Sequence, residues 1–113
     1  MEARDLRSFV HFSDDAPVRE TVFETERLWA QVICVGRNQS YGPVADPAAD
    51  AIVEIVAGEA VVLADRQRKR VKQWETLLIP AGAELSITNA SPDPLVVFVL
   101  LAPPPAAEAP GGR

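Results

Sequence analysis

The chain has 113 residues, of which 48% are hydrophobic and 24% charged, with a formal net charge of -5. That length suits one domain around a single core, and the composition is that of an ordinary globular chain. The acidic balance disfavours nonspecific nucleic-acid binding, and no apolar run reaches the roughly 18 residues of a membrane-spanning helix, so neither nucleic acid nor membrane is an expected partner. The opening stretch MEARDLRSF lacks the apolar segment of a secretory signal, and the one cysteine, Cys34, has no second cysteine to pair with. The expected compartment is therefore the cytoplasm.

Residues 8–12 (SFVHF) read as a short strand, closed by a turn through Pro17. Residues 18–26 show no clean period and read as a lone extended segment. Residues 28–35 (LWAQVICV) read as a strand covered on both faces, with Gln31 its only strongly polar member. Residues 36–49 hold Gly42, Pro43 and Pro47 and read as a loop. Residues 51–57 (AIVEIVA) predict a strand, Gly58-Glu59 a two-residue hairpin turn, and residues 59–64 its antiparallel return. After a turn at 65–68, residues 69–73 predict a short charged strand.

The most informative stretch is 74–89, WETLLIPAGAELSITN. A strand over 76–79 runs into Pro80-Ala81-Gly82. Pro80 belongs at a strand end because it donates no ladder hydrogen bond, and Gly82 supplies backbone freedom at a tight corner. In the strand that follows, Leu85, Ile87 and Asn89 share one face and Glu84, Ser86 and Thr88 the other. Residues 95–101 (LVVFVLL) predict a strand buried on both faces. From residue 102 the composition shifts to a Pro/Ala/Gly-rich tail, so the domain is expected to span residues 1–101 with a flexible tail over 102–113. Eight or nine short strands with regular turns predict an antiparallel sandwich or barrel.

The spacing of Pro80, Gly82 and Asn89 resembles the second sequence motif of the cupin superfamily. Trp74 stands at that motif's first glycine and Leu85 at its histidine. The first motif can be laid over Asn38, Val44, Asp46, Ala51 and Gly58. The resemblance covers roughly residues 28–101 and implies an all-β fold, a small antiparallel jelly-roll barrel. In that superfamily three imidazoles and a carboxylate hold a divalent metal inside the barrel. The corresponding residues here are Val44, Asp46, Ala51 and Leu85, and only Asp46 bears a metal-binding group. Transition-metal sites need about three or four protein ligands, so neither a metal nor another cofactor is expected. Strand alternation turns Glu54 and Glu84 away from the interior.

The interior residues implied by the resemblance are Val44, Ala51, Val53, Ile55, Leu85 and Ile87, with Trp29 or Cys34 from the first long strand. Asp46 and Tyr41 join them near the mouth. The candidate ligand-binding set is therefore Trp29, Tyr41, Val44, Asp46, Ala51, Val53, Leu85 and Ile87. Two readings stay open: a packed, dry interior, or a pocket for a small apolar or aromatic ligand, which small Ala51 favours by leaving room. No catalytic residue stands out. The sequence leans toward a metal-free binding or regulatory module. The alternatives are a metal-independent isomerase or epimerase, which needs an acid/base pair, and a structural or interaction protein.

Other features have plainer readings. The basic cluster Arg66, Arg68, Lys69, Arg70 and Lys72 suits a solvated hairpin tip and edge strand. His11 reads as structural or superficial, Cys34 as a small buried hydrophobe. Trp74 is expected to pack within the chain or across a dimer. The resemblance and the surplus of apolar surface at 8–12 and 95–101 together imply a homodimer.

Overall fold

In the computed structural model, which describes residues 1–105, nine strands form two antiparallel sheets. The strands are β1 (Val18–Glu24), β2 (Trp29–Val35), β3 (Ser40–Val44), β4 (Asp50–Ala57), β5 (Glu59–Ala64), β6 (Gln67–Lys72), β7 (Thr76–Ile79), β8 (Leu85–Asn89) and β9 (Leu95–Ala102). One sheet runs β1-β2-β9-β4-β7, the other β3-β8-β5-β6. The fold is the all-β jelly roll expected from the sequence, built as two facing sheets that share no ladder.

Period-two alternation decides what faces inward. Ile33 and Val35 of β2, Val53 and Ile55 of β4, Ile87 of β8 and Val97 and Val99 of β9 meet in the core between the sheets. The alternation on β8 is as the sequence predicts, with Leu85, Ile87 and Asn89 buried. All seven residues of β2 are buried, because its other face is covered too. There Val32, Cys34, Val22 and Val96 form a second cluster beneath Leu6, Phe9 and Val10.

That cover corrects the first expected strand. Residues Leu6–Phe9 form a short 3-10 helix, not an extended segment, with the Asp5 carboxylate accepting from Arg7 N–H at 2.9 Å as its cap. Residues 18–24 are not lone either: β1 pairs with β2 along its length, with an irregularity between Thr21 and Phe23. The loop expected over 36–49 contains β3, an edge strand that pairs only with β8. Proline is tolerated on an edge, where no ladder donor is needed, and Gly42-Pro43 sits at the irregularity between Tyr41 and Val44.

The Gly58-Glu59 hairpin is also corrected. β4 is bonded to β9 on one side and β7 on the other, so neither edge is left for β5, which pairs with β6 and β8 in the facing sheet. Gly58, with φ +88°, carries the chain from one sheet to the other. Pro80-Ala81-Gly82 is the expected corner, linking β7 to β8 across the sheets, with Ala83 N–H donating to Pro80 O at 3.1 Å.

β6 forms the outer edge of the four-stranded sheet, and Val71 is its only buried residue. Its basic side chains guard that edge against pairing with another chain. Arg70 is also ion-paired with Glu59 of β5. Trp74 is not packed within the chain: its backbone is held left-handed in the turn before β7, and its ring stays 72% exposed. Ala102 ends β9, while residues 106–113 of the expected flexible tail lie outside the described residues. Among the described residues no helix is long and apolar enough to cross a membrane.

Candidate functional site

Strand register builds one end of the sandwich differently from the other. On the five-stranded sheet, Trp29, Leu101, Ala51 and Ile79 pair across β2, β9, β4 and β7 as one continuous row. The next row inward is Gln31, Val99, Val53 and Leu77. On the facing sheet, Val44 pairs with Leu85 and Tyr41 with Ile87. Deeper rows fill the space with Val and Ile. In the outermost row the residue at the centre is alanine, and Ala49 and Ala83 are small as well.

The result is a cavity of about 550 Å³. Its walls include Trp29, Gln31, Tyr41, Val44, Ala51 and Leu85, and the loop over residues 45–49 closes one side. Pro104 and Pro105 reach its rim. That volume falls within the roughly 300–1,000 Å³ of small-molecule sites, and apolar walls with few polar groups are their usual chemistry.

Of the eight candidate residues, Trp29, Tyr41, Val44, Asp46, Ala51 and Leu85 line this cavity. Val53 and Ile87 do not; they are fully buried in the packed half of the interior. Val44 stands at the mouth and is 40% exposed. Cys34 lies on the opposite face of β2 from Trp29, in the second cluster. Burial pushes its thiol pKa up, which suits a hydrophobe and not a nucleophile. One half of the interior is therefore packed, and the other encloses a cavity.

The polar groups of the cavity are few. Arg19 of β1 donates through Nη1 to the Tyr41 hydroxyl at 3.1 Å. The pair spans the open side between the two sheets, from the β1 edge to the β3 edge. The Arg19 guanidinium also lies 5.2 Å from the centre of the Trp29 ring. Trp29 Nε1 donates to Thr21 Oγ1 at 2.8 Å. Gln31 is 2% exposed, and its Oε1 is buried with no hydrogen-bond partner.

Asp46 is occupied with local structure. Its Oδ1 accepts from Ala48 N–H at 2.8 Å and Ala49 N–H at 3.0 Å, and its backbone oxygen accepts from Gly82 N–H at 2.7 Å. Asp50 Oδ1 accepts from Ala81 N–H at 2.9 Å. These bonds strap the 45–50 loop to the β7–β8 corner. A metal of the kind held by related folds does not fit the residues here. Three of the four ligand positions carry hydrocarbon, and the fourth is a carboxylate already accepting two amides. Among the described residues no three His, Cys, Asp or Glu side chains come together as a metal site. Glu54 is half-buried on the outward side of β4, and Glu84 is exposed. His11 does not line the cavity; its Nε2 is at ion-pair distance, 3.1 Å, from Glu20 Oε2 but without hydrogen-bond geometry.

Arg19 and Gln31 were not among the sequence candidates. Gln31 had a legible signal: it shares strand parity with Trp29. Arg19 had none, because the segment around it shows no clean period.

No protein-family model matches the sequence, and no curated protein matches it. Solved structures do resemble it. A Thermus thermophilus protein superposes with a TM-score of 0.88 at 24% identity, covering 93% of this chain and 100% of its own. A conserved protein with a double-stranded β-helix domain from Klebsiella pneumoniae gives 0.86 at 19% identity, covering 91% of this chain and 90% of its own. An RmlC-like cupin protein from Desulfovibrio desulfuricans gives 0.83 at 20% identity, covering 92% of this chain and 98% of its own. The chain has the cupin fold.

Proposed function

We propose that this chain is a metal-free binding module of the cupin fold that takes a small, largely apolar ligand in the cavity at the open end of its sandwich. The observation that carries this reading is the cavity of about 550 Å³ walled by Val44, Ala51 and Leu85 where a metal-binding relative would place ligands. An acid/base enzyme needs two groups poised to exchange protons. Here the Asp46 carboxylate is engaged by loop amides and the Tyr41 hydroxyl by Arg19, which favours binding over catalysis.

A thermal-shift panel of aromatic and short-chain compounds tests the reading, since a ligand that binds only the native state raises its melting temperature. At least one compound is expected to raise it. Ala51→Phe, which fills the centre of the outermost row, is expected to abolish that shift while leaving the protein folded. A panel in which nothing binds the parent, or in which Ala51→Phe binds as well as the parent, removes the cavity from the account. Elemental analysis of the purified protein is expected to find no stoichiometric transition metal.

Self-association is a further part of the proposal. The N-terminal segment covers part of the outer sheet face, but Ile52 and Leu78, paired neighbours on β4 and β7, remain exposed there, Leu78 to 66%. Such an exposed apolar pair suits an isologous contact with a second copy. Light scattering is expected to return twice 12.2 kDa, and Leu78→Lys to return a monomer. A monomeric parent at working concentration contradicts it.

A further inference from the structure

The unpartnered carboxamide oxygen of Gln31 narrows the ligand class. Every other residue of β2 is apolar, and glutamine interrupts the run on the face that looks into the cavity. Its row neighbours are Val99, Val53 and Leu77, none with a side-chain donor. On the β1 side its register partner is Thr21, whose hydroxyl already accepts from Trp29. A carbonyl oxygen enclosed this way has lost its water and gained nothing in return, an arrangement that native proteins rarely keep without a use for it.

We infer that Gln31 is the specificity-determining residue of the cavity, and that its Oε1 accepts a hydrogen bond from the hydroxyl of a small aromatic ligand of the phenol class. The terminal torsion of a glutamine is soft, so the carboxamide turns toward an entering donor at little cost. The aromatic part follows from the walls. Trp29 and Tyr41 present rings, and Ala51, Ala49 and Ala83 leave room for a ring beside them. A hydroxyl supplies the donor that Oε1 lacks without bringing a charge into apolar surroundings. The inference rests on the cavity being a binding site, and it adds what the site selects for.

The experiment compares p-cresol, 4-methylanisole and toluene by calorimetric titration of the full chain. The three share a ring and a methyl group, and only p-cresol donates a hydrogen bond. The parent protein is expected to bind p-cresol about tenfold or more tightly than either of the others, the size of one well-made buried hydrogen bond. Gln31→Leu is expected to bind all three alike, and to melt at a higher temperature than the parent when empty, because it removes a desolvated polar atom. Gln31→Met, which keeps the unbranched length, serves the same comparison if the leucine variant does not fold. Equal binding of the three by the parent overturns the role of Gln31 and leaves the cavity standing as an apolar site. No binding of any of them, together with no hit in the wider panel, overturns both. A Gln31→Leu protein that retains the preference for p-cresol also overturns the inference.

Discussion

Gly58→Ala is expected to lose roughly 2–5 kcal/mol of stability, a large share of the about 5–15 kcal/mol that holds a domain of this kind together. Two separate penalties produce that figure. The backbone at Gly58 has φ +88°, a region where a β-carbon costs about 1–2 kcal/mol. The new carbon would also stand 2.5 Å from Pro94 O and 3.0 Å from Leu95 Cα, both main-chain atoms that cannot swing aside, and relieving such overpacking typically costs about 1–3 kcal/mol more. Gly82 separates the two penalties. Its φ is +86°, but nothing lies within 4 Å of the position of an added β-carbon. Gly82→Ala is therefore expected to show the conformational part alone. Urea unfolding checks both: the midpoint should fall far more for Gly58→Ala, with the slope unchanged. Equal losses at the two sites would show that the close approach of Pro94 contributes nothing.

Asn89→Ala is expected to cost roughly 2–4 kcal/mol, from lost hydrogen bonds and newly unsatisfied carbonyls. Asn89 is only 8% exposed, and its side chain holds three backbone groups at once. Nδ2 donates to Val35 O at 3.1 Å and to Asp93 O at 2.8 Å, while Oδ1 accepts from Ser91 N–H at 3.0 Å. The residue thus pins the loop between β8 and β9 and ties it to the end of β2. Asn89→Asp keeps the shape and the acceptor but loses both donors, so at neutral pH it should be no more stable than the alanine variant. Native stability in the aspartate variant would mean that the two donated bonds are dispensable.

These two residues also show how much of the fold could be read in advance. Pro80, Gly82 and Asn89 carry a local structural requirement at fixed spacing, and local requirements can be read from sequence. The strands at 28–35, 76–79 and 95–101 were legible for the same reason, since a continuous or strictly alternating apolar run states its own burial. Partnership was not legible. The residues around Gly58 look like a hairpin because a hairpin and a corner need the same turn chemistry; what separates them is that both edges of β4 are already taken by strands 20 and more residues away. The strand at 40–44 was hidden by Gly42-Pro43, which reads as a loop until its place at a sheet edge is known.

The candidate site was legible in outline. Counting from the motif turned Val44, Asp46, Ala51 and Leu85 toward the interior, and all four line the cavity. The same reasoning carried Val53 and Ile87 too far along, because facing inward does not reveal whether the space opposite is filled. Volume depends on the row as a whole: beside Val99 and Leu77, Val53 closes the gap, and beside Leu101 and Ile79, Ala51 does not. The hydrogen bond from Arg19 to Tyr41 joins residues from two sheet edges, and no sequence pattern records such a meeting.

The order in which the chain visits its two sheets has a consequence for biogenesis. Six of the eight strand connections pass from one sheet to the other: β2–β3, β3–β4, β4–β5, β6–β7, β7–β8 and β8–β9. Each sheet is thus woven from strands distant along the polypeptide, and the central strand β9 is the last to leave the ribosome. A nascent chain lacking it has β2 and β4 already made, with β3 between them in sequence, but not the strand that pairs with both. The five-stranded sheet consequently closes only after β9 has emerged, at the slow rates of folds dominated by distant pairings.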